Sequence, residues 1–317
     1  MTTRARLRLH VVDKRTVADD VVQLELADPS GAELPAWQAG AHIGLSLTAE
    51  LVRQYSLCGE VADRSRYRIA VLREPHGRGG SQYVHDQLAV GDLVEVATPR
   101  NNFDFHSAER HLFLAGGIGI TPLVEMMAEA DRQGSEWMLA YGGRSGGSMA
   151  YVQQLTSTFG DRVHVYEQDV HGVLPIAHLL DDLKSGTLVY CCGPEGLLGA
   201  VEQKCAELGV PDLHVERFTA VDVADHGGDQ PFDVVLAQSG LTLAVATGQT
   251  ILEAVEEAGI PVDSSCREGT CATCETFVVE GACDHRDSLL SDEERQSNKT
   301  MMICVSRARG DRIVLDL

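Results

Sequence analysis

Four cysteines constrain this chain more than any other feature. Cys266, Cys271 and Cys274 stand close together in Cys-Arg-Glu-Gly-Thr-Cys-Ala-Thr-Cys, and Cys304 follows on a separate segment. The pattern C-x4-C-x2-C…C is the ligand spacing of a plant-type 2Fe–2S cluster. Three thiolates come from one tight loop that wraps the cluster, and the fourth closes the cage from a distance. Such a cluster takes one electron at a time. The chain therefore handles electrons rather than hydrolysis or group transfer.

The competing uses of cysteine fit less well. Structural zinc favours pairs of C-x2-C, and only one such pair exists here. His285 has a spacing that matches no common zinc module. Disulfides are disfavoured by the odd total of nine cysteines and by the lack of a secretory signal. Cys58, Cys191, Cys192, Cys205 and Cys283 are left over and read as small buried apolar residues.

At 317 residues the chain has length for two or three domains with real cores. Asp and Glu number 47 against 26 Lys and Arg, a net charge of −21. That balance argues against nucleic acid and anionic membranes as partners and suits a protein with a basic docking face. The bulk of the charge reads more simply as solubility. No apolar run is long enough to span a bilayer, and the first residues lack the apolar stretch of a signal peptide. The expected compartment is the reducing cytoplasm.

Three sections follow one another along the chain. The first is all-β in character, with alternating runs at 6–12, 21–26, 42–47, 67–73 and 92–97 punctuated by Gly, Pro and Asp. Strands at that spacing predict a closed barrel. From about residue 109, strands at 111–115, 137–141, 163–166 and 188–192 alternate with helical segments, including one from 195 to 208. That alternation predicts a parallel α/β sheet. A polar, Asp- and Gly-rich stretch at 222–230 reads as a linker. Beyond it, strands at 233–236 and 241–245 form a hairpin, and a helix at about 250–258 precedes the cysteine loop.

Two further motifs carry chemistry. Gly116-Gly117-Ile118-Gly119-Ile120-Thr121-Pro122 lies between a strand and a helix. Glycines there let the backbone approach a pyrophosphate, and the helix start offers free N–H groups. Thr121 is suited to capping the helix or bonding a phosphate, and Pro122 suits the first turn. An unliganded β–α turn would look similar, so the motif alone is moderately specific. Cys192-Gly193-Pro194 ends a later strand at the same sheet edge, where ligands of open α/β sheets bind. In the barrel section, Arg53-Gln54-Tyr55-Ser56-Leu57 combines a phosphate-binding cation, a flat ring and a hydroxyl. Gly77-Arg78-Gly79-Gly80-Ser81 is a turn chemically suited to a phosphate.

Taken in order, these motifs resemble the phthalate dioxygenase reductase family, which also includes vanillate demethylase reductases. His285-Arg286-Asp287 and Cys304-Val305-Ser306-Arg307 fit the same pattern, so the resemblance covers the whole chain. It implies a multidomain fold: an N-terminal antiparallel β-barrel flavin domain (1–106), an α/β parallel-sheet NAD domain (107–221), a linker (222–231) and a C-terminal α+β ferredoxin domain of β-grasp type (232–317). It assigns Arg53, Tyr55 and Ser56 to the flavin, and Gly79, Gly80 and Ser81 to its phosphate. Gly116, Gly117, Gly119, Thr121 and Pro122 would bind the dinucleotide, with Cys192, Gly193 and Pro194 beside the nicotinamide. Phe218 matches an aromatic near the flavin, although it reads equally well as an apolar residue closing its domain. Ser56, Cys192 and Phe218 are thereby the residues nearest the hydride. Arg144, after the second strand of the sheet, would suit a 2′-phosphate, yet resembling NADH enzymes also carry an arginine there.

The implied cofactors are FMN, NADH and the 2Fe–2S cluster held by Cys266, Cys271, Cys274 and Cys304. The implied activity is reduction of a terminal Rieske non-haem iron oxygenase of aromatic catabolism. A diiron or haem monooxygenase as acceptor keeps the same electron flow. A non-catalytic iron–sulfur carrier or sensor is a third reading, which the intact flavin and nicotinamide motifs disfavour.

Overall fold

The computed structural model describes residues 6–48, 51–219 and 229–317. Most of the expected linker, and the extreme N-terminus, lie outside the described residues. The chain divides into two compact units, one reaching to Arg217 and the other running from Phe218 to Leu317.

The first unit begins with strands β1 (Arg6–Ala18), β2 (Val21–Ala27), β3 (His42–Ser46), β4 (Val52–Ser56) and β5 (Tyr67–Leu72). Helix α1 (Gly80–Asp86) and strand β6 (Leu93–Ala97) complete this section. The strands pair antiparallel in the order β4-β3-β6-β1-β2-β5. A further antiparallel bridge, Leu57 to Ile69, brings the chain just after β4 back to β5, so the sheet curls into the expected barrel. Alternation drives it: Leu9 and Val11 of β1 point inward while Arg6, Arg8 and Val12 face out. Leu24, Ile43, Leu45, Ile69 and Val96 fill the interior with no exposed surface. Each such side chain contributes roughly 1.5–3 kcal/mol by leaving water.

The same unit continues into a five-stranded sheet. Its elements are β7 (Arg110–Gly116), α2 (Leu123–Arg132), β8 (Glu136–Gly143), α3 (Val152–Phe159) and β9 (Val163–Glu167), then the short helices α4 (Gln168–His171) and α5 (Ile176–Asp181), then β10 (Thr187–Cys192), α6 (Glu195–Leu208) and β11 (Leu213–Glu216). All neighbours are parallel, in the order β11-β10-β7-β8-β9. The chain runs outward from β7 to β9, then returns to the other side of β7. The switch point therefore lies between β7 and β10, where ligands of such sheets bind.

Barrel and sheet share one core. Val21, Ala39, Cys58 and Ala70 of the barrel pack in the same cluster as Phe113, Met126, Leu139 and Tyr190 of the sheet layer. Tyr151 reinforces the junction. Its backbone adopts a left-handed φ of 65°, and its hydroxyl lies 3.1 Å from the Gln23 amide and 3.5 Å from Cys58 Sγ.

The second unit contains β12 (Phe232–Leu236), β13 (Leu241–Val245), α7 (Ile251–Glu257), β14 (Glu275–Glu280), β15 (Cys283–Asp284), α8 (Asp292–Ser297), β16 (Thr300–Met302), β17 (Arg307–Ala308) and β18 (Arg312–Leu315). Its main sheet has the order β13-β12-β18-β14-β16, with β12 and β18 parallel at its centre. The hairpin β12–β13 forms as expected from its Gln-Ser-Gly turn. Thr250 and Glu253 cap α7 reciprocally, which fixes where that helix starts. The helix buries Ile251, Leu252 and Val255 against Val234, Met301 and Ile313. The three-part architecture read from the sequence is thus the observed one: antiparallel barrel, parallel sheet and β-grasp ferredoxin fold.

Candidate functional site

At the switch point two loops meet backbone to backbone. A Cβ on Gly119 would lie 2.2 Å from the Cys192 carbonyl oxygen, and one on Gly193 would lie 2.9 Å from Gly116 Cα. A Cβ on Gly116 would strike Pro194 at 2.6 Å. Only glycine fits at these places, and Gly117 adds a left-handed φ of 54°. The result is a narrow cleft edge floored by main chain. Thr121 is buried, and its hydroxyl donates to the Ile118 carbonyl at 3.0 Å. Pro122 occupies the N-cap of α2 and brings no side-chain cap. Tyr141 Oη lies 3.0 Å from the Gly117 carbonyl, which ties the loop to β8.

Cys192 ends β10 fully buried. Burial pushes its thiol well above the usual range, and the neighbouring Glu216 pushes it the same way. Parallel pairing sets Cys192 directly beside Glu216, the last residue of β11. Ser56, buried at the end of β4, donates to Glu216 Oε2 at 3.5 Å. A barrel hydroxyl, a half-buried carboxyl and a neutral thiol thus meet at one edge. Loss of hydration raises the Glu216 carboxyl from 4.5 to about 8, and the Ser56 hydrogen bond opposes this only in part. Sequence reasoning missed Glu216. The reason is that β11, only four residues long, does not stand out as a strand, so nothing in the sequence set Glu216 at the same sheet edge as Cys192.

The barrel's phosphate motifs converge as well. Arg53 on β4 donates to the Arg78 carbonyl at 2.7 Å, and its stem lies against Gly80, where a Cβ would be 2.4 Å from Arg53 Cγ. Gly79 has a left-handed φ of 79° and starts α1. Ser81 Oγ accepts from the Glu74 amide at 2.9 Å. Tyr55 is half-buried against the barrel core, and burial pushes its phenol up. Arg144 is exposed at the end of β8. Phe218 is the first residue of the second unit, with its ring 42% exposed.

In the second unit all four expected ligands are buried and gathered. The Cys266 side chain is within hydrogen-bond reach of Cys271 and Cys304, and Cys274 is within reach of Cys304. The amides of Glu268 and Thr270 each point at Cys266 Sγ from 3.4 Å, and Thr273 Oγ1 lies 3.1 Å from Cys271 Sγ. Left-handed φ values at Arg267, Gly269 and Ala272 turn the loop inward. Gly269 presses on the loop's support, since a Cβ there would lie 2.9 Å from Asp287 Cα. Asp287 in turn accepts from the amides of Leu289 and Leu290. Among the described residues no three His, Cys, Asp or Glu side chains converge on a single ion. A two-iron cluster does not require that, because each iron takes only two protein thiolates and sulfides supply the rest. Four thiols meeting with amides aimed at sulfur fit such a cluster.

Comparison with known proteins agrees section by section. Residues 8–105 match the family model described as an oxidoreductase FAD-binding domain, and 234–309 match a 2Fe-2S iron-sulfur cluster binding domain. Residues 100–215 match the N-terminal domain of proteins like the dimethylamine monooxygenase subunit DmmA. The chain is 42% identical over 314 residues to the phenoxybenzoate dioxygenase subunit beta of Ectopseudomonas oleovorans, covering 98% of this chain and 97% of the other. It superposes on the solved phthalate dioxygenase reductase, titled a modular structure for electron transfer from pyridine nucleotides to [2Fe-2S]. There the TM-score is 0.72 and the identity 36%, with 98% of each chain covered. It also matches an intact type IV self-sufficient cytochrome P450 monooxygenase at TM-score 0.92 and 42% identity, covering 98% of this chain. This chain spans only 41% of that P450.

Fold and site together define an oxidoreductase of the oxygenase-reductase class, with a flavin barrel, a nucleotide sheet and a 2Fe–2S domain. The chain belongs to the phthalate dioxygenase reductase family.

Proposed function

We propose that this protein takes electrons from NADH and delivers them to a terminal Rieske non-haem iron oxygenase. The observation that carries the reading is the meeting of Ser56, Cys192 and Glu216 at the switch point, on a unit whose barrel and sheet share one core. When bound, the flavin accepts a hydride and the cluster passes electrons on singly.

The chain's own residues do the rest. The backbone of Gly116, Gly117 and Gly119 lets a pyrophosphate come close, with Thr121 and Pro122 shaping the turn. Gly193 and Pro194 keep the opposite wall low. Cys192 stays a neutral thiol beside the nicotinamide. Ser56 presents its hydroxyl to the reactive edge of the flavin, and Glu216 holds that hydroxyl in place. Tyr55 lies along the ring system, and Phe218 keeps the role the resemblance gives it, an aromatic for the flavin. Arg53 with Gly79, Gly80 and Ser81 forms a terminus for a single phosphate. That supports FMN, although the matching family model is described for FAD. Cys266, Cys271, Cys274 and Cys304 hold the cluster, and the amides on Cys266 Sγ raise its potential. The domain limits that go with this reading are 1–106, 107–221 and 232–317.

A haem acceptor is the second reading, supported by the match to the P450 monooxygenase. Among the described residues no helix is long and apolar enough to cross a membrane, and we place the protein in the cytoplasm with its reducing supply.

The test is anaerobic stopped-flow with NADH, followed by purified Rieske and haem acceptors in turn. Flavin bleaching, then cluster reduction, then turnover of the Rieske partner is the expected order. Turnover with the haem protein alone would replace the partner. Chromatography of heat-released flavin separates FMN from FAD.

A further inference from the structure

The cysteine loop rests on a segment that the reaction described above leaves without a role. Residues 285–291 join β15 to α8 and pass directly behind Gly269. A Cβ on Gly269 would lie 2.7 Å from Val305 Cγ2 and 3.1 Å from Asp287 Cβ. The loop, this segment and the residue after Cys304 are therefore in contact. Asp287 is buried in that contact, with 3% of its surface exposed.

Hydrogen bonds give the contact a direction. The Ser288 amide donates to the Gly269 carbonyl at 3.0 Å. That carbonyl belongs to the same planar peptide unit as the Thr270 N–H. The Thr270 N–H in turn points at Cys266 Sγ from 3.4 Å. The two groups of a trans peptide point opposite ways, so a donor held on the carbonyl side aims the N–H at the sulfur. Chained hydrogen bonds also polarise one another, which strengthens the N–H as a donor.

Asp287 holds Ser288 in that place. Its Oδ1 accepts from the amides of Leu289 and Leu290 at 3.0 and 2.8 Å, which turns the chain immediately after it. Its own carbonyl accepts from Arg295 Nη2 at 2.6 Å, and the Leu290 carbonyl accepts from Arg295 Nε at 2.9 Å. On the other side the Arg286 amide donates at 3.1 Å to Oγ of Ser306, the second residue after Cys304. Ser288 is thus fixed from both directions, with its amide facing the loop.

We propose that Asp287 is a positioning residue for the 2Fe–2S cluster: through Ser288 and the Gly269–Thr270 peptide it aims the Thr270 N–H at Cys266 and so keeps the reduction potential up. The inference rests on the cluster reading above and adds the residue that tunes it. A hydrogen bond to a cluster thiolate favours the reduced, more negative state, so its loss lowers the potential. Loss of a nearby negative charge has the opposite sign, because it makes reduction easier. The two effects of changing Asp287 can therefore be told apart.

The test is a potentiometric titration of the full-length holoprotein, read by EPR of the reduced cluster. In Asp287→Ala the ratio of reduced to oxidised cluster at a fixed potential should fall about tenfold, a midpoint about 59 mV more negative. Asp287→Asn keeps an acceptor for the two amides, so its midpoint should return to the wild-type value or rise above it. Pulsed EPR in heavy water reads the exchangeable amide proton on the Cys266 sulfur; its coupling should weaken in Asp287→Ala and recover in Asp287→Asn. Where the alanine variant does not retain the cluster, Asp287→Ser, with a shorter acceptor, should give a smaller fall of the same sign. A midpoint at or above wild type in the alanine or serine variant would overturn the proposal, as would an equal fall in Asp287→Asn or an unchanged proton coupling. Wild type without iron, or without the EPR signal of a reduced 2Fe–2S cluster, would sink the cluster reading itself, a result easily told apart from a shifted midpoint.

Discussion

Replacing Glu216 with Gln should make the protein more stable and slower at once. The carboxyl is raised from 4.5 to about 8 by burial. At about 1.36 kcal/mol per pH unit, that rise makes the ionised form worse off in the fold by roughly 5 kcal/mol. The sign follows from linkage. The folded state holds this proton more tightly than the unfolded chain. The group's stabilising contribution is therefore complete below about 4.5 and is lost as pH rises through about 8. Part of the side chain still opens to solvent, so about half the full figure is a fairer expectation, some 2 kcal/mol. Gln keeps the size and the contact with Ser56 but never ionises.

Melting curves from pH 5 to 9 provide the assay. The variant should melt several degrees above wild type at pH 8.5, at roughly 2–4 °C per kcal/mol for a unit of this size, and the gap should close toward pH 5. Stopped-flow reduction of the flavin by NADH should meanwhile slow at least tenfold, about 1.4 kcal/mol of barrier, with little change in NADH affinity. Wild type should show a rate inflection near 8 that the variant lacks. A melting difference independent of pH would refute the burial argument. A variant as fast as wild type would remove Glu216 from the reaction.

Cys271→Ser should lose the cluster's absorbance while NADH still reduces small dyes through the flavin; loss of both activities would show that the two units depend on each other. Arg53→Ala and Ser81→Ala should each weaken FMN retention by roughly 1–3 kcal/mol, read by fluorescence titration, and unchanged affinity in both would displace the phosphate site. Electron transfer to the natural oxygenase should slow as salt rises, because Asp and Glu outnumber Lys and Arg from Asp225 to Leu317, whereas flavin reduction should respond much less; a flat salt series would leave those charges with solubility alone.

Much of the fold was legible because burial writes periodicity into sequence. The alternation in 6–12 gave β1, and the expected helix at about 250–258 is α7, whose start the reciprocal cap of Thr250 and Glu253 fixes. The segment 195–208 is a helix at those limits. The four cysteines proposed to hold the cluster stood out because metal coordination fixes spacing locally. Short strands such as β11 were not, since four residues carry too little alternation to stand out. With β11 missed, Glu216 looked like any solvated acid in Val-Glu-Arg-Phe. A carboxylate's environment is set by which strand lies beside it, and strand order is a long-range property.

The division of the chain follows the chemistry. Hydride transfer demands contact between ring systems within a few tenths of an ångström, because the reacting atoms must approach to about 3–3.5 Å. Such tolerance requires that the walls of the site move together. The barrel that carries Ser56 and the sheet that carries Cys192 and Glu216 do so, through a common core and the strained Tyr151 at their junction. Single electrons place a looser demand, since they cross gaps that a hydride cannot. The four cysteines proposed to hold the cluster accordingly sit on a unit with a core of its own, built from Val234, Ile251, Met301 and Ile313. A substitution at Tyr151 is therefore an insult to hydride transfer, while one in the ferredoxin core is an insult to the cluster. The two defects should be separable in a single purified chain by comparing NADH–dye with NADH–acceptor activity.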